Sequence, residues 1–101
     1  MRDAIQLIRD AVLDAVADDY ESLEVITSDI RSRLHSLRAE VTTENVSEAL
    51  AGLVRDGLVQ TFVLSSSPPH AVPVSFSYDT IAESWFCITP FGKAALGARE
   101  P

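Results

Sequence analysis

The sequence predicts an α+β domain with three helices, a β-hairpin and a short C-terminal helix. Apolar residues recur at three- and four-residue steps in three successive stretches before residue 57, as in helices with one buried face. Two later runs, 58–64 and 84–89, are rich in β-branched and aromatic residues, as strands are. A chain of 101 residues has the length of one domain, which we assign to residues 1–101.

The first helix is predicted at about residues 3–17. Its apolar stripe consists of Ile5, Ile8, Val12 and Val16. Leu7 and Ala11 widen this stripe, and two interpretations of that extra width remain open. Either the helix is buried more deeply than average, or Leu7 and Ala11 contact a second subunit in a homodimer.

Residues 18–22 are predicted to interrupt the first helix. The second helix is predicted from Ser22 to Leu37, with His35 as its earliest end. The Ser22 hydroxyl can accept a hydrogen bond from a free amide of the first turn. Its apolar face consists of Leu23, Ile26, Ile30, Leu34 and Leu37.

The third helix is predicted to start after Thr42, which can cap it, and to end at Gly57. Val41 before the cap can pack on Val46 in a hydrophobic staple. Gly57 stands where a left-handed residue ends a helix, a conformation that glycine adopts without a steric clash. The buried face is predicted to be Val46, Ala49, Leu50, Leu53 and Val54.

Strands are predicted at 58–64 and 84–89, with a further short strand at 72–77. Pro73 makes the further strand an edge strand, because proline cannot donate a hydrogen bond to a neighbour. Residues 78–83 are predicted as a turn or a short helical piece. The last helix begins at Pro90, where a missing amide costs nothing, and ends at Gly97.

The composition limits the partners that the chain can bind. Eight Lys and Arg stand against 15 Asp and Glu, which gives a formal charge of −7. Affinity for nucleic acid comes largely from Lys and Arg at phosphates, so a local basic patch has to supply it. The longest uncharged stretch, 57–78, is interrupted by prolines and cannot span a bilayer. The N-terminal stretch carries Asp3 and Asp10 and lacks the small-residue cleavage site of a secretory signal. We therefore expect a cytoplasmic protein.

No catalytic, metal or cofactor site is predicted, and we expect no enzyme. His35, His70 and Cys87 are scattered, without the short spacings of a metal site, and the single cysteine excludes an internal disulfide. The serines at 65–67 near His70 lie beside two prolines in a predicted loop, with no recognisable motif for an acidic partner.

Two stretches resemble the winged helix-turn-helix domains of bacterial transcriptional regulators. They are "VTTENVSEALAGLVRDGLVQ" (41–60) and "WFCITPFGKAAL" (85–96). The resemblance implies a helix-turn-helix core of three helices, a β-hairpin wing and a short C-terminal helix. It also implies that the third helix lies in the DNA major groove and that the wing touches phosphates or the minor groove. The loop between the main strands, at roughly twenty residues, is long for a wing. It either holds the strand 72–77 or forms a projecting arm.

The resemblance places DNA-reading positions on the third helix. They are Thr43, Glu44, Ser47, Glu48, Ala51 and Arg55. The sequence departs from the pattern of a DNA-reading winged helix in two ways. Glu44 and Glu48 would face the phosphate backbone, and residues 56–92 contain no Lys or Arg. A glutamate can accept a hydrogen bond from cytosine N4, but two of them beside a single arginine give a poor electrostatic footprint.

The basic cluster of the chain lies in "IRSRLHSLR", around the predicted end of the second helix. It contains Arg31, Arg33 and Arg38 together with His35. Two interpretations remain open: these arginines contact phosphates, or they are solubilising charges paired with nearby carboxylates. The predicted DNA-binding set is Arg31, Arg33, Arg38, Thr43, Ser47 and Arg55.

Two hypotheses for function follow. In the first, the chain is a non-catalytic winged-helix regulator that binds DNA, weakly or with partners, as a homodimer. In the alternative, it is an acidic winged-helix module that binds another protein and does not bind DNA.

Overall fold

The computed structural model describes residues 3–99, and over these residues it confirms the predicted α+β class. Four α-helices pack with a four-stranded antiparallel sheet. The elements in chain order are α1 (Ala4–Ala15), β1 (Glu21–Ser22), α2 (Leu23–Arg33), the 3-10 turn η1 (His35–Leu37), α3 (Thr43–Arg55), β2 (Val59–Leu64), β3 (Ala71–Val74), the 3-10 turn η2 (Ile81–Glu83), β4 (Trp85–Ile88) and α4 (Pro90–Arg99).

Side chains cap the first three helices. Asp3 Oδ1 accepts from the amide of Gln6 at 2.9 Å at the start of α1. The predicted caps of the next two helices are confirmed: the Ser22 hydroxyl accepts from Val25 at 3.3 Å. The Thr42 hydroxyl accepts from Asn45 at 3.1 Å. Each cap satisfies an amide that the first helical turn leaves without a partner.

The junction between α3 and α4 is held by a glycine and a threonine. Gly57 has a φ of 78°, which confirms its predicted role at the end of α3. The Thr89 hydroxyl donates to the carbonyl oxygen of Gly57 at 2.6 Å and accepts from the amide of Gly92 at 2.9 Å. The start of α4 is thereby fixed against the end of α3.

Several bounds differ from the prediction. The last helix, predicted to end at Gly97, continues to Arg99. The helix predicted to reach Leu37 ends at Arg33, because Leu34, with a ψ of 60°, leaves the helical conformation, and residues 35–37 form η1. The break predicted at 18–22 contains β1, in which Glu21 pairs with Phe86 and Ser22 with Trp85. Two residues are too short to show an alternating pattern, so this strand depends on its distant partner.

The sheet has the strand order β1-β4-β2-β3. The segment between β2 and β4 holds the further strand, which spans 71–74 instead of the predicted 72–77. β4 pairs with β2 only over 59–62, whereas β3 pairs with β2 out to Leu64. The end of the β2–β3 hairpin, which we call the arm (63–72), therefore extends beyond β4.

The core lies between the first three helices and the inner face of the sheet. Phe86 is fully buried in it and contributes about 1.5–3 kcal/mol through burial of its ring. Val41 and Val46, the predicted staple residues, are both fully buried in this core. The buried apolar residues are Ile8, Ala11, Val12, Leu13, Val16, Leu23, Ile26, Ile30, Val41, Val46, Leu50, Leu53, Val59, Phe86 and Ile88.

Candidate functional site

A groove of about 720 Å³ runs along one side of α2, and we call it the α2 groove. It extends from the start of α2, beside η2, to η1 and the start of α3. The lining residues are Leu23, Glu24, Thr27, Ser28, Arg31, Ser32, His35, Arg38, Thr43 and Ala82.

One end of the α2 groove is basic. Arg31 from α2, His35 from η1 and Arg38 just after η1 line it together. Because α2 stops at Arg33 and a tighter turn follows, these side chains converge instead of spreading around a continuous helix. Thr43, the first residue of α3, closes this end, where the free amides of a helix favour negative charge.

Arg31 is held in place by the backbone. Its Nε donates a hydrogen bond to the carbonyl oxygen of Val41 at 2.9 Å. Among residues 3–99 its two Nη groups have no hydrogen-bond partner, and neither has the side chain of Arg38. The guanidinium of Arg31 is therefore fixed through its Nε and keeps its Nη donors free, which suits it to binding an anion.

The other end of the α2 groove is apolar and acidic. The buried Leu23 and the exposed Ala82 line it beside the carboxylate of Glu24. Glu24 lies seven residues before Arg31, which is roughly 10 Å along the axis of α2 at the helical rise. Between the two ends the exposed hydroxyls of Ser28 and Ser32, one turn apart, point to the same side. The groove is thus polarised along its length.

The remaining predicted arginines lie outside the α2 groove. Arg33 pairs with Asp29, one turn earlier on α2, with 3.0 Å between Nε and Oδ2. Arg55 is exposed in the last turn of α3, and its Nε is 3.8 Å from Oδ1 of Asp56. The structure therefore brings Arg31 and Arg38 together with Thr43, and separates Arg33 and Arg55 from them.

Ser47 was predicted to read DNA, and its position corrects that prediction. It is only 6 % exposed, and its hydroxyl donates to the carbonyl oxygen of Thr43 at 2.7 Å. Its neighbour Val46 is fully buried, and the buried arc of α3 is wide enough to include both. The exposed side of α3 instead presents Glu44, Glu48 and Arg55. This side is acidic near the start of the helix.

A second, smaller groove of about 220 Å³ separates α1 from α3. The Nη2 of Arg9 lies 2.7 Å from Oδ2 of Asp56, which joins α1 to the end of α3. A Cβ atom at Gly52 would lie 3.0 Å from Arg9 Nη1, a close contact that a small shift of the flexible guanidinium would relieve. Arg9, which lines this groove, is therefore already engaged in an ion pair between the two helices.

The predicted subunit contacts have different environments. Ala11 is 7 % exposed within the chain's own core, which leaves almost none of its surface for a second subunit and corrects that assignment. Leu7 is half-buried, and its role in a homodimer stays a prediction. Ile5, which is 76 % exposed, is the accessible large apolar residue at this end of α1.

The arm contains no Lys, Arg, Asp or Glu, although the sequence resemblance implied that this segment contacts phosphates. Val63 and Val72 face each other across the hairpin, and each is more than 40 % exposed. Pro73 has no N–H, and the N–H of Ala71 donates to the carbonyl oxygen of Pro69 at 2.7 Å. These two residues of β3 therefore offer no amide to an added strand.

Within residues 3–99 no three or more His, Cys, Asp or Glu side chains are arranged to hold a metal ion. No helix among the described residues is long and apolar enough to cross a membrane.

Cys87 is half-buried on β4. Burial raises the pKa of its thiol, while a backbone hydrogen bond from Ile88 and the charge of Lys93 act in the opposite direction.

Compared with known protein families, with curated proteins and with solved structures, the chain matches none of them. Its function is therefore inferred from the side chains of the α2 groove and from the exposed side of α3.

Proposed function

We propose that the chain is a winged helix-turn-helix protein that holds the phosphate backbone of DNA at the basic end of the α2 groove. The element order supports the helix-turn-helix assignment, since α1, α2 and α3 precede the strands and a short α4 follows them. The arm and the strands around it take the place of the wing.

The convergence of Arg31, His35 and Arg38 beside Thr43 carries this proposal. Free guanidinium donors next to a helix N-terminus are the groups that proteins direct at phosphate oxygens. The hydroxyls of Ser28 and Ser32 extend this surface along α2 and can donate to a neighbouring phosphate.

The proposed binding is weak for a single chain and depends little on base sequence. Glu44 and Glu48 on the exposed side of α3 repel phosphates, and residues 56–92 supply no Lys or Arg. A glutamate can accept from cytosine N4, so some preference for cytosine is compatible with this surface. Two copies in a homodimer would bring two basic groove ends to one duplex, and would strengthen binding without any new type of contact.

Charge reversal with a matched control tests the proposal. Binding of a labelled random-sequence duplex at low salt is followed by fluorescence anisotropy for wild type, Arg38→Glu and Arg33→Glu. Both variants change the charge equally, but Arg38 lines the α2 groove and Arg33 is paired with Asp29 outside it. We expect Arg38→Glu to lose about tenfold or more in affinity, because a charge-assisted contact contributes at least 1.5 kcal/mol. Equal losses in the two variants contradict the proposal.

A second candidate function is favoured by the acidic side of α3. Glu44 and Glu48 stand one turn apart, both exposed, and would complement a basic protein surface. Under this alternative, wild type does not bind duplex even at low salt. Under the DNA proposal, Glu44→Gln with Glu48→Gln removes repulsion and increases duplex affinity. We expect the double variant to fold like wild type, since both side chains point to solvent.

A further inference from the structure

We infer that the α2 groove is also a binding site for a small organic phosphate, held by Arg31 and Arg38. The binding itself stands on the geometry of the groove. Its consequence, competition with DNA, rests on the proposed function.

The size of the α2 groove fits a small molecule. Its volume of about 720 Å³ lies within the range of roughly 300–1,000 Å³ found for small-molecule sites. A single inorganic phosphate would fill only the basic end. The remaining length of the groove leaves room for an organic body attached to the phosphate.

The basic end matches a phosphate monoester better than a carboxylate. Arg31 and Arg38 supply several free N–H donors, and the Thr43 hydroxyl stands beside them. A phosphate monoester offers three terminal oxygens and a charge near −2, whereas a carboxylate offers two oxygens and a charge of −1. The phosphate therefore offers a separate oxygen to each guanidinium group and to the hydroxyl, and a larger charge than a carboxylate does.

Part of the site is organised before a ligand arrives. The bond from Arg31 Nε to the Val41 carbonyl oxygen fixes the guanidinium without using its Nη groups. A side chain that is already ordered loses less conformational entropy on binding. Arg31 thus acts as the anchor, and Arg38 closes on the ligand from the segment that follows η1.

The far end of the α2 groove defines the rest of the ligand. Leu23 and Ala82 offer apolar contact, and the carboxylate of Glu24 repels a second anionic group. The fitting ligand has one phosphate at one end and an apolar or hydrogen-bond-donating body. Glu24 disfavours a compound with phosphates at both ends.

Such a ligand would compete with DNA, because the same Arg31 and Arg38 donors are proposed to hold the DNA backbone. An organic phosphate then acts as a negative effector of DNA binding. Reciprocal loss of affinity follows whenever two ligands need the same donors.

An NMR titration tests the site. Amide shifts of the ¹⁵N-labelled chain are followed with phenyl phosphate, inorganic phosphate and phenol, at constant ionic strength. We expect saturable shifts at residues lining the α2 groove, with phenyl phosphate binding more tightly than inorganic phosphate and phenol not binding. Shifts that spread over the whole surface, or equal effects of phenol and phenyl phosphate, overturn the inference.

Variants separate this inference from the proposed function. Arg38→Gln should weaken phenyl phosphate about tenfold, and Arg33→Gln should leave its affinity unchanged, since only Arg38 lines the groove. Equal affinities for the two variants overturn the inference. If wild type binds phenyl phosphate in the groove but no duplex, the site stands and the proposed function fails. If it binds duplex but no phenyl phosphate, the inference fails and the proposed function stands.

Discussion

The Nε of Arg31 and the carbonyl oxygen of Val41 are joined by a hydrogen bond of 2.9 Å. This bond links α2 to the fully buried residue that precedes Thr42, the cap of α3. One arginine therefore both positions the two helices and presents free donors to the α2 groove. Because Arg31 also supports the fold through this bond, a change at Arg38 alone is the cleaner test of the α2 groove.

Arg31→Ala is expected to destabilise the fold by about 1.5–3 kcal/mol, because the Val41 carbonyl loses a charged donor. Urea denaturation measures the change. Arg33→Ala serves as the control, because its exposed pair with Asp29 contributes only about 0.3–0.5 kcal/mol. Equal destabilisation of the two variants would show that the bond to Val41 contributes nothing specific.

Thr61→Val is expected to stabilise the protein by about 1 kcal/mol. The Thr61 hydroxyl is buried on β2 and has no hydrogen-bond partner among residues 3–99, so replacing it with a methyl group removes a desolvated polar atom. Thr27→Val is the matched control, because the Thr27 hydroxyl is also buried but donates to the carbonyl oxygen of Leu23 at 2.8 Å. That variant should be destabilised. A loss of stability in Thr61→Val contradicts the account of this strand.

Gly92→Ala and Gly97→Ala, both in α4, are expected to change stability in opposite directions. A Cβ atom at Gly92 would collide with the carbonyl oxygen of Leu58 and lie 2.6 Å from Cγ1 of Ile88, so we expect a loss of about 1–3 kcal/mol. At Gly97 nothing lies within 4 Å of the added atom. Alanine there should stabilise the helix by roughly 0.5–1 kcal/mol. Thermal unfolding of both variants checks the pair, and a tolerated Gly92→Ala argues against the close packing of α4.

Local signals made the helices predictable, whereas long-range contacts decided the rest. The caps Ser22 and Thr42 and the end at Gly57 depend on neighbouring residues alone. β1 exists only because β4 pairs with it, so its own two residues do not indicate a strand.

The candidate site was predictable only in part. The basic cluster was visible in the sequence, but the sequence did not show which of its arginines line the α2 groove. Arg38, after η1, lines the groove with Arg31, whereas Arg33 pairs with Asp29 outside it. Ser47 was misassigned because the resemblance placed it among the exposed reading positions of the third helix. Its hydroxyl is satisfied by the carbonyl oxygen of Thr43, which allows it to be buried.

A homodimer through α1 remains a prediction, and light scattering tests it. We expect wild type to have the mass of two chains, and Leu7→Glu or Ile5→Glu to give monomers, because a charge in an apolar contact is strongly unfavourable. Ile5→Glu is the cleaner variant, as Ile5 is 76 % exposed in the single chain. Gln6→Glu adds the same charge at an exposed position and should leave the dimer intact. A monomeric wild type rejects this interface.

The salt dependence of duplex binding tests the central claim most directly. Each phosphate contact contributes a slope of about −0.9 to the plot of log affinity against log salt concentration. With Arg31 and Arg38 as the contacts, we expect a slope of about −2 per chain for wild type, reduced by about 1 in Arg38→Gln. No measurable binding at low salt, or a slope that Arg38→Gln leaves unchanged, would contradict a role for the α2 groove in holding DNA.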